Sequence, residues 1–425
     1  MRKLFILSVM TALAAGTAFA AGPPAASFAG YLRLLYENHP ELKALSAERD
    51  AKNQVPAQEY SLPNPQLTLG VMDLPTDTLS FNQEDMTQKV VGLSQAFPAP
   101  GKRELRRKTA EADVEMSEAM VGEKRLELAE QARLAFYELK YLLKSRETVL
   151  KNKDVLHGFI ESALTKYSAG MGVQQDVLAA QMEFSRTAEV QIMLEQEIAT
   201  ATSNLNVWAG LPADTDWSRP EIDALPSMEA DEAKIAETAV AKRPLFRQMG
   251  AALRKSGDML QLARKEILPD YSVSLSYGIR ENGAMPRSNM ISAEVMLDLP
   301  LYRRTKQDKM VAQSVLMEEK ARLDVESEKL KLRREVAEQL QMQKKDERLL
   351  TLYDAGLLPQ ARQAVEAAFS SYRVNKVDFR WLIMNQAALL DYQLQRHKVE
   401  YELLATRTRL LKISGGDETE VKNEN

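Results

Sequence analysis

Residues 90–115 read "VVGLSQAFPAPGKRELRRKTAEADVE" and change character within a few positions. Apolar and polar side chains alternate up to Phe97, which predicts a β-strand because successive side chains of a strand point to opposite faces. Pro98 and Pro100 then prevent a strand ladder from continuing. After Gly101 the segment is rich in charged residues and helix formers, which predicts a long helix. A short joint therefore converts a strand into a helix, with a cluster of positive charge beside it.

Three further segments alternate in the same way, at 66–72, 271–279 and 290–299. In the last of them Glu294 and Asp298 fall on the polar face. Such strands suit either an antiparallel sheet on a soluble core or a membrane barrel that is apolar toward lipid and polar toward a water-filled lumen. Aromatic residues at the strand ends favour the barrel, since they match an interfacial belt: Tyr60, Phe97, Tyr271 and Tyr302. We therefore expect Glu294 and Asp298 to face a lumen. Four strands cannot close a barrel, because the smallest membrane barrels have about eight, so several chains must contribute.

The chain after residue 20 consists of two halves with the same order of segments. Leu62 matches Leu268, Phe97 matches Leu299 and Tyr167 matches Tyr372, at offsets of 206, 202 and 205. A nearly constant offset indicates a duplication. We predict the following division: a first repeat over 21–209 with strands at about 66–72 and 88–97 and a tip at about 168–176; a linker over 210–228; a second repeat over 229–414 with strands at about 271–279 and 290–299 and a tip at about 373–379; and a disordered tail over 415–425.

Two very long helices are expected, over 101–169 and 303–372, each about 100 Å long at 1.5 Å per residue. Apolar residues recur along them at three-, four- and seven-residue steps, as at Leu316, Leu323 and Leu330. These overlapping stripes allow side-by-side packing with a neighbouring helix on each flank, but they provide no face for a thick core. The mean hydropathy of −0.34 is consistent with a single wall of helices that is wet on both sides.

The composition excludes several classes of protein. Residues 1–20 have the basic start, apolar stretch and small-residue cleavage pattern of a signal peptide, which predicts export from the cytoplasm. The absence of cysteine excludes disulfides, thiolate metal sites and lipid on cysteine. The net charge of −4 provides no positive excess for nucleic acid. Three isolated histidines, without a nucleophile motif or phosphate-binding loop, indicate neither an enzyme nor a cofactor site.

Three motifs resemble those of the TolC-type outer membrane efflux proteins: "GLSQAFPAPGKR" at 92–103, "YSAGMGVQQDVLAAQ" at 167–181 and "LLPQARQAVEAAFSSYRVNKVDF" at 357–379. The resemblance covers essentially the whole mature chain. It implies a mainly α fold with a small β part, in which three chains share a twelve-stranded transmembrane β-barrel and an α-helical barrel that crosses the periplasm. It also implies a passive exit duct in the outer membrane, working as a homotrimer with a periplasmic adaptor protein and an inner-membrane transporter of the RND type.

The resemblance places the functional residues at the periplasmic tips, where each long helix turns back. Some members lock the closed tip through a tyrosine and an aspartate that correspond to Tyr372 and Asp176. The second tip has Asn375 where glycine is usual, and asparagine tolerates left-handed geometry. Inward acidic residues of some members correspond to Trp381 and Met384, so Asp378, one turn earlier, is the expected substitute. The expected gate and adaptor-docking residues are Tyr167, Gly170, Met171, Gly172, Asp176, Val177, Tyr372, Arg373, Asn375 and Asp378. A helix-turn-helix joint without a gating role is the alternative.

Cations follow both pairs of strands. We expect them just outside the hydrocarbon layer, close to the head groups of outer membrane lipid, because charge within the layer is costly. The cluster comprises Lys102, Arg103, Arg106, Arg107, Arg303 and Arg304. A solvated helix start, with no role toward lipid, explains any one of them equally well.

Two other functions compete with the duct. A periplasmic adaptor would show a long helical hairpin but has no need for two strand pairs. A trimeric coiled-coil envelope scaffold would explain the helices but not the strands or the prolines that follow them. The solute also stays open: the segment up to residue 103 looks most like family members associated with heavy-metal efflux, yet no metal-capturing group of residues stands out, and drugs or other small molecules remain candidates.

Overall fold

The computed structural model describes residues 28–213, 215, 222, 225, 231–283 and 285–416. The predicted signal peptide lies outside the described residues, as do most of the predicted linker and the tail from residue 417 onward. In chain order the elements are α1 (Phe28–Asn38), α2 (Pro40–Lys52), α3 (Val55–Tyr60), β1 (Gln66–Met72), β2 (Gln88–Phe97), α4 (Lys102–Ser168), α5 (Gln174–Trp208), α6 (Glu232–Lys242), α7 (Pro244–Lys265), β3 (Tyr271–Ile279), β4 (Met290–Leu297), α8 (Gln307–Leu352), a π-helical turn (Tyr353–Leu357), α9 (Leu358–Arg373) and α10 (Phe379–Ile413).

The same succession of elements occurs twice. In each half, short helices lead into a strand pair, a very long helix follows, and a tip turn connects it to a returning helix. The predicted mainly α fold with a small β part and duplicated halves is confirmed. Among the described residues, no helix has both the length and the apolar character that a membrane crossing requires.

Proline residues divide the short helical regions that precede each strand pair. The region before β1 contains three helices, α1 to α3, and Pro40 and Pro56 lie in the first turns of the second and third. The stretch at 229–266 is likewise divided at Pro244 into α6 and α7. Proline is tolerated in a first helical turn, where no N–H is required, but not in a helix interior.

The two long helices differ, although the sequence predicts that both are continuous. Helix α4 runs unbroken for 67 residues. The second is interrupted by the π turn at Tyr353–Leu357, directly before α9, where Pro359 occupies the first helical turn. The proline ring crowds the carbonyl four residues earlier, and a locally wider turn relieves that contact.

The four strands form one antiparallel sheet in the order β1-β2-β3-β4. The register aligns the apolar side chains into rows across the sheet, and one row runs Leu67, Leu93, Leu275, Ala293. The three leucines of that row are 66%, 55% and 57% exposed. A sheet on a soluble core of its own chain would bury them, so this face is covered from outside the chain, by lipid or by another protein surface. The opposite face carries polar rows such as Ser94, Ser274 and Glu294.

Candidate functional site: the hairpin tips and the strand–helix junction

The first tip is a tight turn between α4 and α5 that depends on glycine. Gly170 has φ +71°, a left-handed conformation that glycine adopts without strain. A Cβ on Gly172 would lie 3.1 Å from Lys166 Cβ and 3.2 Å from the Tyr167 nitrogen, so the returning chain passes close to the end of α4. The side chains of Tyr167 and Met171 point outward and are exposed.

The second tip makes the corresponding turn with asparagine. Asn375 has φ +58°, the left-handed geometry that its position requires. Asp378 caps α10, because its carboxylate Oδ1 accepts a hydrogen bond of 2.8 Å from the Arg380 backbone N–H. Asp378 therefore caps the start of a helix in this structure, and its side chain is exposed. Arg373 ends α9 with an exposed side chain.

Tyr372 and Asp176 meet across the two tips. The Tyr372 hydroxyl donates a hydrogen bond of 3.2 Å to Asp176 Oδ2. Tyr372 is only 4% exposed, and its ring lies 4.9 Å from the ring of Phe379. Both belong to an apolar cluster, here called the tip cluster, that joins α4, α5, α9 and α10: Leu156, Phe159, Ala163, Val177, Ala180, Ala368, Tyr372, Phe379 and Leu382. The hydrogen bond therefore ties the first hairpin to the second at the edge of a packed core.

Lys166 is a contact residue that the sequence reasoning missed. Its Nζ donates hydrogen bonds to the Tyr372 carbonyl and, at 2.6 Å, to Asn375 Oδ1. The same Nζ lies 4.0 Å from the centre of the Tyr372 ring, which adds a cation–π attraction. A lone lysine at a helix end ordinarily indicates a solvated charge, so only the spatial approach of the two tips reveals this role.

The surroundings of the tip raise the pKa of both Tyr372 and Asp176. Burial, with the nearby Asp176 carboxylate, raises the pKa of Tyr372 to about 12. Burial is also the main reason that the pKa of Asp176 lies above its ordinary value; the Asp378 carboxylate adds to the rise, and the Tyr372 hydrogen bond and Lys166 oppose it. The rise in the pKa of Asp176 that desolvation causes is thus larger than the lowering by Tyr372 and Lys166.

At the other end of α4, Lys102 is buried rather than directed at lipid. It is 2% exposed, and its Nζ lies 2.9 Å from both Glu266 Oε2 and Asp270 Oδ1. Asp270 Oδ1 also accepts a hydrogen bond of 2.7 Å from the Ala99 N–H. The expectation that Lys102 lies among lipid head groups is therefore wrong, because a buried ammonium needs paired carboxylates and the segment between α7 and β3 supplies them. The contact joins the two halves of the chain where strands become helices.

The other cations of the predicted cluster divide between the halves. In the first half, the Arg103 guanidinium donates to the Tyr60 carbonyl at 2.6 Å and lies over the Tyr60 ring. Arg107 pairs with two neighbouring glutamates, and Arg106 lies 3.7 Å from Glu266. In the second half, Arg303 pairs with Asp308 at 3.2 Å and Arg304 is exposed. Most of these side chains bind the protein itself.

The predicted lumen residues lie on and beside the edge strand. Glu294 is opposite Ser274 on the polar face of the sheet. Strand β4 ends at Leu297, two residues earlier than expected, and the Asp298 N–H donates to the Asp270 carbonyl at 2.9 Å. Asp298 therefore lies just beyond the end of β4, beside the residue that precedes β3.

Comparison with known proteins identifies the class to which this fold and site belong. The sequence pattern of the family described as outer membrane efflux protein matches residues 31–211 and 235–416, one match for each half. The chain therefore belongs to the outer membrane efflux protein family, whose members form channels in the outer membrane that extend into the periplasm. A search of curated proteins returned no match.

Solved structures with the same fold include several outer membrane channels. The outer-membrane channel OprN superposes with a TM-score of 0.76 at 16% identity, over 91% of this chain and 89% of that one. VceC of Vibrio cholerae gives 0.75 at 15% identity, over 91% and 95%. CusC gives 0.75 at 12% identity, over 91% of each chain. At these identities the similarity shows the fold.

Proposed function

We propose that three copies of this chain assemble into one passive exit duct of a tripartite efflux system, carrying small solutes from the periplasm to the exterior with no catalytic step. The duct comprises a twelve-stranded barrel in the membrane and an α-helical barrel beneath it, closed at the tips of the helical hairpins. The single observation that carries the proposal is the open four-stranded sheet with one exposed apolar face.

The two sheet edges support assembly with other copies. Strands β1 and β4 are the ends of the sheet, and neither pairs with the other within the chain. Unpaired strand edges cannot face hydrocarbon, because their N–H and C=O groups would lack partners. Pairing β4 of one copy with β1 of the next satisfies both edges, and an antiparallel pairing follows from the even number of strands.

The long helices support the same assembly. Leu316, Leu323 and Leu330 on α8 are seven residues apart and exposed in the single chain. A heptad stripe of leucines is typical of a helix that packs against a partner. A helix of a neighbouring copy would cover this stripe, so that the wall of the duct closes around a lumen.

We assign the gate to the Tyr372–Asp176 hydrogen bond, supported by Lys166. Separating the hairpins at the tip would break these contacts and expose part of the tip cluster. The adaptor would dock on the outer surface of the tips, over 170–177 and 373–379, where Met171 and Val374 present exposed apolar side chains. The adaptor would link the duct to an inner-membrane transporter of the RND type. Outer membrane lipid would contact the apolar face of the sheet and the exposed Arg304.

Tyr372→Phe is expected to open the tip. A hydrogen bond to a charged group contributes about 1.5–3 kcal/mol, so its loss shifts the closed–open equilibrium of each tip by about ten-fold or more. The measurement is single-channel conductance of the purified trimer in a planar lipid bilayer, where the variant should conduct more than the unmodified protein. Asp176→Ala should act in the same way, whereas Asp176→Asn, which keeps an acceptor oxygen, should stay closed. Unchanged conductance in both Tyr372→Phe and Asp176→Ala would show that the gate lies elsewhere.

Mild acid is expected to close the tip further. The pKa of Asp176 is raised in the closed form, and opening would return it toward the value of an ordinary aspartate in water. The closed form therefore binds a proton more tightly than the open form, and acidification through the raised pKa stabilises it. Conductance should fall as the pH is lowered from 7 to about 4 and recover on return. Asp176→Asn should remove this dependence; a rise of conductance in acid would contradict it.

The solute is assigned only to a class. Small solutes, heavy-metal ions among them, would pass without a dedicated binding site, since a duct need not bind what it conducts. Within the part of the chain that the structure describes, no group of histidine, aspartate and glutamate side chains is placed to hold a metal ion. Deletion of the gene, followed by growth tests with copper, silver, zinc and drugs, separates metal ions from drugs by which compounds become more toxic.

A further inference from the structure

A layer of three polar side chains lies buried among the helices above the tip. Asn152 on α4, Thr187 on α5 and Gln386 on α10 are 4%, 1% and 5% exposed. The Gln386 Nε2 donates to Asn152 Oδ1 at 2.5 Å, and the Asn152 Nδ2 donates to Thr187 Oγ1 at 3.4 Å. The Thr187 hydroxyl in turn donates to the Glu183 carbonyl at 2.9 Å. These residues, here called the polar layer, connect both hairpins.

The polar layer separates two apolar regions. Toward the periplasmic end lies the tip cluster, and away from it lies a second cluster of Leu142, Val149, Leu194 and Leu390. A cavity of about 720 Å³ opens beside the layer, lined by Asn152 and Gln386 together with Phe159 of the tip cluster and Asp354 of the π turn. The packing between α4, α9 and α10 is therefore incomplete at this level, and apolar contacts alone do not define how the helices align.

The hydrogen bonds define that alignment instead. Apolar side chains tolerate sliding of one helix along another, whereas an amide pair is satisfied in one register. Displacing α10 by one turn, about 5.4 Å, would leave buried amide groups without partners at about 1–3 kcal/mol each. The layer therefore holds α10, and the tip that precedes it, at a fixed height against α4 and α5.

We propose that Asn152 and Gln386 are positioning residues of the gate: by fixing the register of α10 against α4, they bring the Tyr372 hydroxyl within hydrogen-bond reach of Asp176. The inference rests on the proposed gate. The layer acts at a distance, since Thr187 lies eleven residues after Asp176 along α5, about 16 Å at 1.5 Å per residue. Neither amide touches Tyr372 or Asp176, so the effect passes through helix alignment.

The test replaces the amide pair by side chains of similar shape, Asn152→Leu with Gln386→Met. Removing both partners of a buried hydrogen bond is nearly neutral for stability, so the trimer should keep its melting temperature. Its conductance in a planar bilayer should nevertheless rise as it does in Tyr372→Phe. Adding Tyr372→Phe to the double variant should produce no further increase, because the hydroxyl no longer meets its partner. This lack of additivity distinguishes positioning from an independent structural effect.

Two further variants serve as controls. Asn152→Gln combined with Gln386→Asn exchanges the two amides and keeps the summed length of the pair, so a hydrogen bond can still form. This variant should have the low conductance of the unmodified protein. Gln191→Met removes an amide on α5 that accepts from Lys153 at 2.8 Å within the first hairpin, and it should leave conductance unchanged. If Tyr372→Phe raises the conductance but Asn152→Leu with Gln386→Met does not, the polar layer has no positioning role, while the assignment of the gate to Tyr372 and Asp176 is supported. If Tyr372→Phe itself has no effect, the gate fails and this inference fails with it.

Discussion

Leu275→Arg is expected to abolish assembly of the channel in the outer membrane, whereas Ser274→Arg is expected to leave it intact. The two residues are neighbours at the middle of β3, but they lie on opposite faces of the sheet. An arginine facing lipid at the bilayer midplane costs about 2–4 kcal/mol, and each trimer would carry three. An arginine at 274 would face the lumen, opposite Glu294, and could pair with it.

The measurement is the amount of trimer that can be extracted from outer membranes with detergent and that dissociates only on heating. Leu275→Arg should reduce this amount by at least ten-fold relative to Ser274→Arg, since about 1.4 kcal/mol corresponds to a factor of ten. The variant at the adjacent position is the control, because it introduces a side chain of the same size and charge into the same strand. Equal amounts of trimer in the two variants would show that the apolar rows do not face lipid.

Lys102→Met is expected to destabilise the junction between the barrel and the helices. Its ammonium satisfies two carboxylates, and burial, which alone would lower the pKa of Lys102, is outweighed by Glu266 and Asp270, so that the pKa is raised. Removing one partner of a buried ion pair costs about 3–5 kcal/mol. Here both carboxylates keep partial contact with water, so a loss of about 2–3 kcal/mol is expected.

The loss is measured as a lower midpoint of urea unfolding for the purified trimer in detergent. Arg304→Met is the matched control: Arg304 follows the second strand pair as Lys102 follows the first, but it is exposed, so its replacement should change the midpoint little. A Lys102→Met trimer as stable as the Arg304→Met trimer would show that the ion pairs contribute nothing to the junction.

The strands were the most predictable part of the fold. Each of their faces meets a different medium, so the period of two is strict along "YSVSLSYGI", and the mainly α fold with duplicated halves follows from the order of segments. The alignment of Leu67 with Leu93 and Leu275 could not be predicted, because register depends on pairing between strands far apart in the chain. The π turn also escaped prediction, since one proline in a helical pattern indicates an interruption but not its kind.

The candidate site was predictable only in part. The pairing of Tyr372 with Asp176 was expected from family resemblance, not from the residues themselves, and the geometry places the two in contact. Lys166 was missed and Lys102 was misplaced for one reason: the partners of each lie more than 160 residues away in sequence. Charge patterns read along a chain show only local neighbours, whereas burial and ion pairing depend on the fold.

Single-channel recording of the purified protein in a planar lipid bilayer tests the account most directly. Three chains that close one water-filled cylinder should insert as units and produce discrete, uniform conductance steps, and Tyr372→Phe should enlarge those steps. Protein that remains soluble without detergent and never produces a step would contradict the duct itself.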